Sequence, residues 1–245
     1  MRCYGAVTDV EEGVDLAVIV VPAKIIPSIV DECAEKGIKA VIIISAGFKE
    51  SGPDGAALEQ DVAERCRRHG IRCIGPNCLG LVSPHERVNA SFGPAMPAPG
   101  NIAFFSQSGA LGTAMLDIAA GEGIGLSRFI SFGNKMDINE SDLIEALGQD
   151  EKTDVILGYI ESIEDGSRFM EVAGRITRAK PVIILKSGRT SAGAQAASSH
   201  TGSLAGADSA YEAAFRQSGV IRAESVGQLF SYARAFAAQQ PPAGP

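Results

Sequence analysis

Residues 187–206 read SGRTSAGAQAASSHTGSLAG, a run of tiny side chains in which Leu204 is the only bulky apolar one and His200 the only imidazole. Such a stretch has too little apolar surface to anchor itself in a core, and it reads as a pliable surface loop. An imidazole on that loop is a candidate nucleophile, its alternative being an inert surface histidine. Two further groups strengthen the first reading. Glu161 closes the apolar run DVILGYI at 154–160, where its carboxylate can hold a histidine's Nδ1–H and leave Nε2 free to attack. In SQSGALGTAM, Ser106 or Ser108 can cap a helix starting near Gly109, whose unpaired N–H groups and partial positive charge suit an anion. Nucleophile, orienting carboxylate and anion-binding helix start together suggest phosphoryl transfer onto histidine, with Ser106, Ser108 and Gly109 receiving the phosphate. Taken singly, Glu161 also reads as a solvated loop acid and the serines as ordinary N-caps. His69 and His85 have weaker claims. His69 follows Arg67 and Arg68 at a predicted helix end, where cations are favoured, and His85 lies in a proline-rich loop.

These groups can meet only if the fold carries them to one edge. Short β-branched runs at 16–21, 40–45, 71–74, 101–106, 126–131, 154–160 and 181–186 alternate with segments of helical period. The helical segments fall near 25–36, 55–69, 109–120, 140–148, 165–178, 208–217 and 226–237, and Gly37, Gly70, Gly121 and Gly219 stand where a left-handed cap is expected. The strands are unbroken apolar runs, as in parallel sheets covered on both faces. The rhythm breaks over 75–100, which gathers five of the chain's twelve prolines. The expected fold is therefore α/β: a partial Rossmann-like domain over 1–97, a flavodoxin-like parallel-sheet domain over 98–238, and a linker-like tail over 239–245. In open α/β sheets ligands collect outside the carboxyl ends of strands. In the second half those ends are SQSG, SFGNKMD, ESIED and KSGR, and the loop bearing His200 follows the last of them. In the first half they are VPAK, SAGF and GPNC, small enough for a nucleotide-like or pantetheine-like ligand to approach the backbone.

Composition excludes several classes. The 245 residues are 45% hydrophobic and 21% charged, with a net charge of −7 and so no basic footprint for nucleic acid. The longest apolar runs are far shorter than the ~20 residues of a membrane span, and no charged-then-apolar leader follows Met1, so a cytoplasmic location is expected. Five cysteines without a C-x-x-C pair read as reduced thiols and indicate no metal site. No G-x-G-x-x-G follows a strand and opens a helix, and no P-loop occurs.

SSHTGSLAG with DSAYEAAFRQSGVI, IGPNCLG at 74–80, FFSQSGALG at 104–112 and SFGNKMDINESD at 131–142 resemble the NDP-forming acyl-CoA synthetases, such as ADP-forming acetate-CoA ligases. The alpha subunit of succinyl-CoA synthetase is a more distant relative. The resemblance covers Val14 to Phe236 and implies an acid-thiol ligase working through an acyl phosphate and a phosphohistidine. By motif match His200 would be phosphorylated, Glu161 would support it, and Ser45, Ala46, Asn77 and Cys78 would lie along coenzyme A. Related chains carry a further strand and glycine-rich CoA loop before the point aligned with Met1, and often a domain beyond Pro245, so this one reads as truncated at both ends. ATP or ADP and Mg2+ would come on an ATP-grasp beta-type partner, without which the chain should be inactive, and an oligomer is expected. Gln107 and Ala110 replace an Arg and a Thr typical of the succinate enzymes, favouring a monocarboxylic acid. Two other classes compete: a non-catalytic CoA-binding module of the kind fused to protein acetyltransferases, and a nicotinamide-dependent enzyme.

Overall fold

The computed structural model describes residues 2–93, 96–188 and 208–239. The first sheet has three parallel strands, β1 (Leu16–Ile19), β2 (Ala40–Ile43) and β3 (Arg72–Ile74), in that spatial order. α1 (Ile26–Lys36) and α2 (Pro53–His69) cover one face, burying Val30 and Cys33 from α1 and Val62 and Cys66 from α2 against Ile19, Val41, Ile43 and Cys73. Gly37 and Gly70 end these helices in the left-handed region, as the sequence predicts.

The second sheet has seven strands. β4 (Gly80–Ser83) and β5 (Val88–Ser91) form an antiparallel hairpin, followed by β6 (Pro99–Ser106), β7 (Leu126–Ser131), β8 (Val155–Ile160), β9 (Val182–Lys186) and β10 (Ile221–Ala223). The spatial order is β10-β9-β8-β6-β7-β4-β5. Counting from β6, the five parallel strands run 2-1-3-4-5, the flavodoxin-like order, and the hairpin extends the sheet antiparallel to β7. Strict alternation explains the three layers. Ile102, Phe104, Val155, Leu157 and Ile183 face α3 (Gly109–Gly121) and α7 (Val226–Ala238). Ala103, Phe105, Ile156, Val182 and Ile184 face α4 (Glu140–Gln149), α5 (Gly166–Ile176) and α6 (Asp208–Ser218). No helix among the described residues is long and apolar enough to cross a membrane.

The chain leaves the first sheet at Ile74 and enters the second at Gly80, where β4 pairs with β7. Two differences from the sequence reading have local causes. The hairpin escapes pattern reading because GLVS and VNAS are broken by polar residues and lie within the proline-rich stretch. Gly121 is the last residue of α3, and the left-handed position falls instead on Gly123, with φ 67°.

The two sheets are joined by a partly buried polar network. Asn134, in the loop after β7, donates through Nδ2 to Glu50 Oε2 at 2.6 Å and to Glu59 Oε2 at 2.7 Å. Lys49 Nζ lies 3.4 Å from Glu59 Oε1 and donates to the Asn134 carbonyl at 2.5 Å. Behind it the amides of Asn134 and Met136 donate to the carbonyls of Pro76 and Gly75, and Ile42 on β2 packs against Leu81 and Ala90 of the hairpin.

Two predictions test this arrangement. Gly133 has φ 53°, and a Cβ there would collide with the carbonyl oxygens of Pro76 and Asn77. Gly133→Ala should therefore destabilise the fold by about 3 kcal/mol in urea unfolding, whereas Gly37→Ala, left-handed but in open space, should cost about 1 kcal/mol. Burial alone would raise the Glu50 carboxyl, but hydrogen bonds from Asn134 and from the Gly47 and Phe48 amides outweigh it and hold the group below its ordinary value of 4.5. A depressed carboxyl contributes stability that is present above its unfolded pKa and lost as pH falls through the folded one. Unfolding free energies measured from pH 6 to 3 should thus decline below pH 4.5, less steeply in Glu50→Gln than in the parent.

Candidate functional site

The loops at the carboxyl ends of both parallel sheets open on one cavity of about 1120 Å³. The two rims read separately from the sequence face each other across it. Ala46 comes from the loop after β2 and Asn77, Cys78 and Leu79 from the crossing after β3. Gln107, Ser108 and Gly109 follow β6, Gly133 to Lys135 follow β7, and Glu161, Ser162 and Glu164 follow β8.

The centre of the site lies where the strand order reverses, between β6 and β8. Chain connections leave the sheet in opposite directions there and open a crevice. Ser108 is the N-cap of α3, its hydroxyl accepting from the Leu111 amide at 3.3 Å. Helix geometry leaves the first-turn amides without intrahelical acceptors, and Gly109 and Ala110 of that turn line the cavity. Gln107 crosses the crevice: its Oε1 accepts from the Glu161 amide at 2.9 Å and the Ser162 amide at 3.3 Å, tying the carboxylate-bearing loop to the helix start.

Lys135 supplies a cation to the cavity wall while only 5% exposed. Its Nζ donates to Glu140 Oε2 at 3.2 Å and to the Ser162 carbonyl at 2.9 Å, so the charge is compensated and the 161–164 loop is held a second time. Lys135 and Asn77 both have positive φ, 54° and 56°. Asn77 Nδ2 reaches Asn134 Oδ1 at 3.3 Å. Left-handed backbone is costly for residues with a Cβ and persists where its surroundings over-determine it, often at functional sites.

The other residues singled out from sequence sit as follows. Ser106 is fully buried and donates to the Ser108 carbonyl at 2.7 Å, bracing the turn from below the cavity floor. Ser45 donates to the Val21 carbonyl at 2.6 Å and lies behind Ala46. Cys78 borders the cavity, but its Sγ donates to the Ile43 carbonyl at 3.3 Å, and burial pushes the thiol up to about 12. His200 lies outside the described residues. At the end of β9, Lys186 Nζ donates to the Ser187 carbonyl at 2.6 Å and lies 4.5 Å from the Tyr211 ring centroid; burial holds its pKa below the ordinary value. Sequence reasoning did not single out Lys49, Glu50, Phe92, Asn134, Lys135 or Glu164 as site residues. Asn134 and Lys135 stand in a strand-end segment already marked as rim, and that position was the available signal. Phe92 sits in the stretch read as an interdomain break. Among the described residues no group of three or more His, Cys, Asp and Glu side chains could hold a metal ion.

Comparison with known proteins agrees with this architecture. The family described as Succinyl-CoA ligase like flavodoxin domain matches residues 99–236, and that described as CoA binding domain matches 1–84. The chain is 51% identical over 231 residues to acetate–CoA ligase [ADP-forming] I of Archaeoglobus fulgidus, covering 94% of this chain and 34% of that one. It is 49% identical over 243 residues to acetate–CoA ligase [ADP-forming] I subunit alpha of Pyrococcus furiosus, covering 99% and 53%. Among solved structures, the dinucleotide forming acetyl-coenzyme A synthetase 1 of Ca. Korarchaeum cryptofilum, in complex with phosphate and ADP, superposes with a TM-score of 0.95 at 42% identity, over 100% of this chain and 53% of that one. The chain thus spans between about a third and a half of the relatives it matches. With two family matches in the same order as its two sheets, the chain belongs to the NDP-forming acyl-CoA synthetase family, in the part that joins a CoA-binding domain to a succinyl-CoA-ligase-like flavodoxin domain.

Proposed function

We propose that the chain is the CoA-binding and histidine-bearing part of an ADP-forming acid-CoA ligase. It would interconvert acyl-CoA, ADP and phosphate with acid, CoA and ATP. The observation that carries the reading is the single cavity in which the α3 N-terminus, the Glu161 loop and the Asn77–Cys78 turn of the CoA-binding domain converge. Names given to relatives at 47–51% identity, all ADP-forming acetate–CoA ligases, support it.

In the first step a phosphate oxygen attacks the thioester carbonyl, the C–S bond breaks, and CoA leaves as its thiol. The anion is received by the amides of Gly109 and Ala110, while Lys135 adds positive charge nearby. In the second step His200 Nε2 attacks phosphorus and the P–O bond to the acyl group breaks, freeing the carboxylate. Glu161 accepts the Nδ1–H and stabilises the imidazole as it becomes cationic. In the third the phosphoryl group passes to ADP. Ser45, Ala46, Asn77 and Cys78 lie along the CoA path, their small size allowing the thiol arm close to the backbone. ADP and Mg2+ enter on a separate ATP-grasp chain, in an oligomeric assembly in the cytoplasm. The 187–206 segment has little side-chain bulk to drag between the two sites.

The test mixes the chain with its matching ATP-grasp partner and γ-labelled ATP. An acid-labile, base-stable phosphate should appear on this chain and be absent from His200→Asn. Glu161→Gln should slow labelling by about a hundredfold without lowering the melting temperature. No label under turnover conditions, or full labelling of His200→Asn, removes the ligase reading. A CoA-binding module without catalysis would bind CoA and remain unlabelled.

A further inference from the structure

The α3 N-terminus stands between two unlike flanks. On the β8 side the cavity wall is charged: Glu161 and Glu164, with Lys135 reaching over from the loop after β7 to Glu140 and the Ser162 carbonyl. On the β4–β5 side it is apolar. Leu79, buried and packed within 4 Å of where a Cβ of Gly109 would stand, leads into β4, and Phe92 follows β5, its amide donating to the Leu79 carbonyl at 3.3 Å. Ala110 and Thr113 complete that flank, and the Thr113 hydroxyl is turned back to the Gly109 carbonyl at 3.2 Å. In the sheet order β8-β6-β7-β4-β5 the strand that leads to Glu161 and Glu164 and the strand that leads to Phe92 lie on opposite sides of β6.

Phe92 is 68% exposed, the largest exposure among the big apolar side chains of the described residues. An aromatic ring bared at the lip of a cavity has surface left to bury, and rings hold apolar groups on their faces. Resting on the ligase reading, we propose that Phe92 is a specificity-determining residue, a platform for the tail of the acyl group, and that the substrates are monocarboxylic acids with an apolar chain or ring longer than acetate. The carboxyl carbon sits at the α3 amides, and the tail runs along Leu79 and Thr113 onto the Phe92 ring. On this reading a two-carbon acid gains nothing from the ring. Among the described residues, Leu79, Phe92, Ala110 and Thr113 of that flank offer no cation to a second carboxylate.

The experiment measures kcat/KM for acetate, butyrate and phenylacetate with the chain reconstituted with its ATP-grasp partner. Phe92→Ala should lower the phenylacetate-to-acetate ratio about tenfold, the discrimination typical of one or more methylene contacts in an apolar pocket, and Phe92→Leu should fall between. A ratio within twofold of the parent overturns the proposal. So does a change confined to the KM for CoA, which would assign the ring to the pantetheine arm. The chain contains no tryptophan, so Phe92→Trp installs a lone emission reporter at the same position. Its spectrum should shift saturably with phenylacetate and not with acetate, and no shift overturns the proposal. If the parent complex turns over none of the acids, the ligase reading fails, and the Phe92→Trp titration alone decides the platform.

Discussion

One side-chain amide governs the geometry of this molecule. Asn134 gives both hydrogens of its Nδ2 to carboxylates that belong with the first sheet, Glu50 in the connection after β2 and Glu59 on α2, the latter only 7% exposed. Two acids brought that close repel each other unless donors intervene, and Lys49 offsets one of the two charges. The network is satisfied only when the carboxyl ends of both sheets point inward together. The cavity is therefore a property of the junction, and neither sheet has it alone.

The reversal in strand order does the second half of the work. Because β6 and β8 are neighbours whose connections leave the sheet in different directions, the loops after them part and leave a crevice. Gln107 spans it with one carbonyl oxygen shared by two backbone amides. The sequence reading treated Gln107 only as a replacement in a substrate-recognition position. Here it is also the strap that sets how far the Glu161 loop stands from the helix start, and Lys135 holds the same loop from the far side.

Much of this was legible in the chain because the strands are uninterrupted β-branched runs and the helices carry end signals. β6 to β9 fall within two residues of where periodicity puts them, and Ser108 caps α3 where the small-residue cluster predicts. The hairpin was not legible because GLVS and VNAS lie in the proline-rich stretch and lack the unbroken β-branched run that marks β1 and β2 at the same length. The junction was invisible for a different reason. Asn134, Glu50 and Glu59 are separated by up to 84 positions, and nothing in local spacing announces that their side chains will share hydrogen bonds.

Cys78 carries one consequence of its own. Its sulfur borders the space where a thioester would be handled, yet burial pushes its proton affinity up to about 12. At neutral pH such a thiol stays protonated, and the proton it retains is donated to the Ile43 carbonyl. On the proposed function, an activated acyl group passing this point would meet a sulfur that keeps its proton, so the wall would leave the cargo to its intended acceptor and escape being acylated itself.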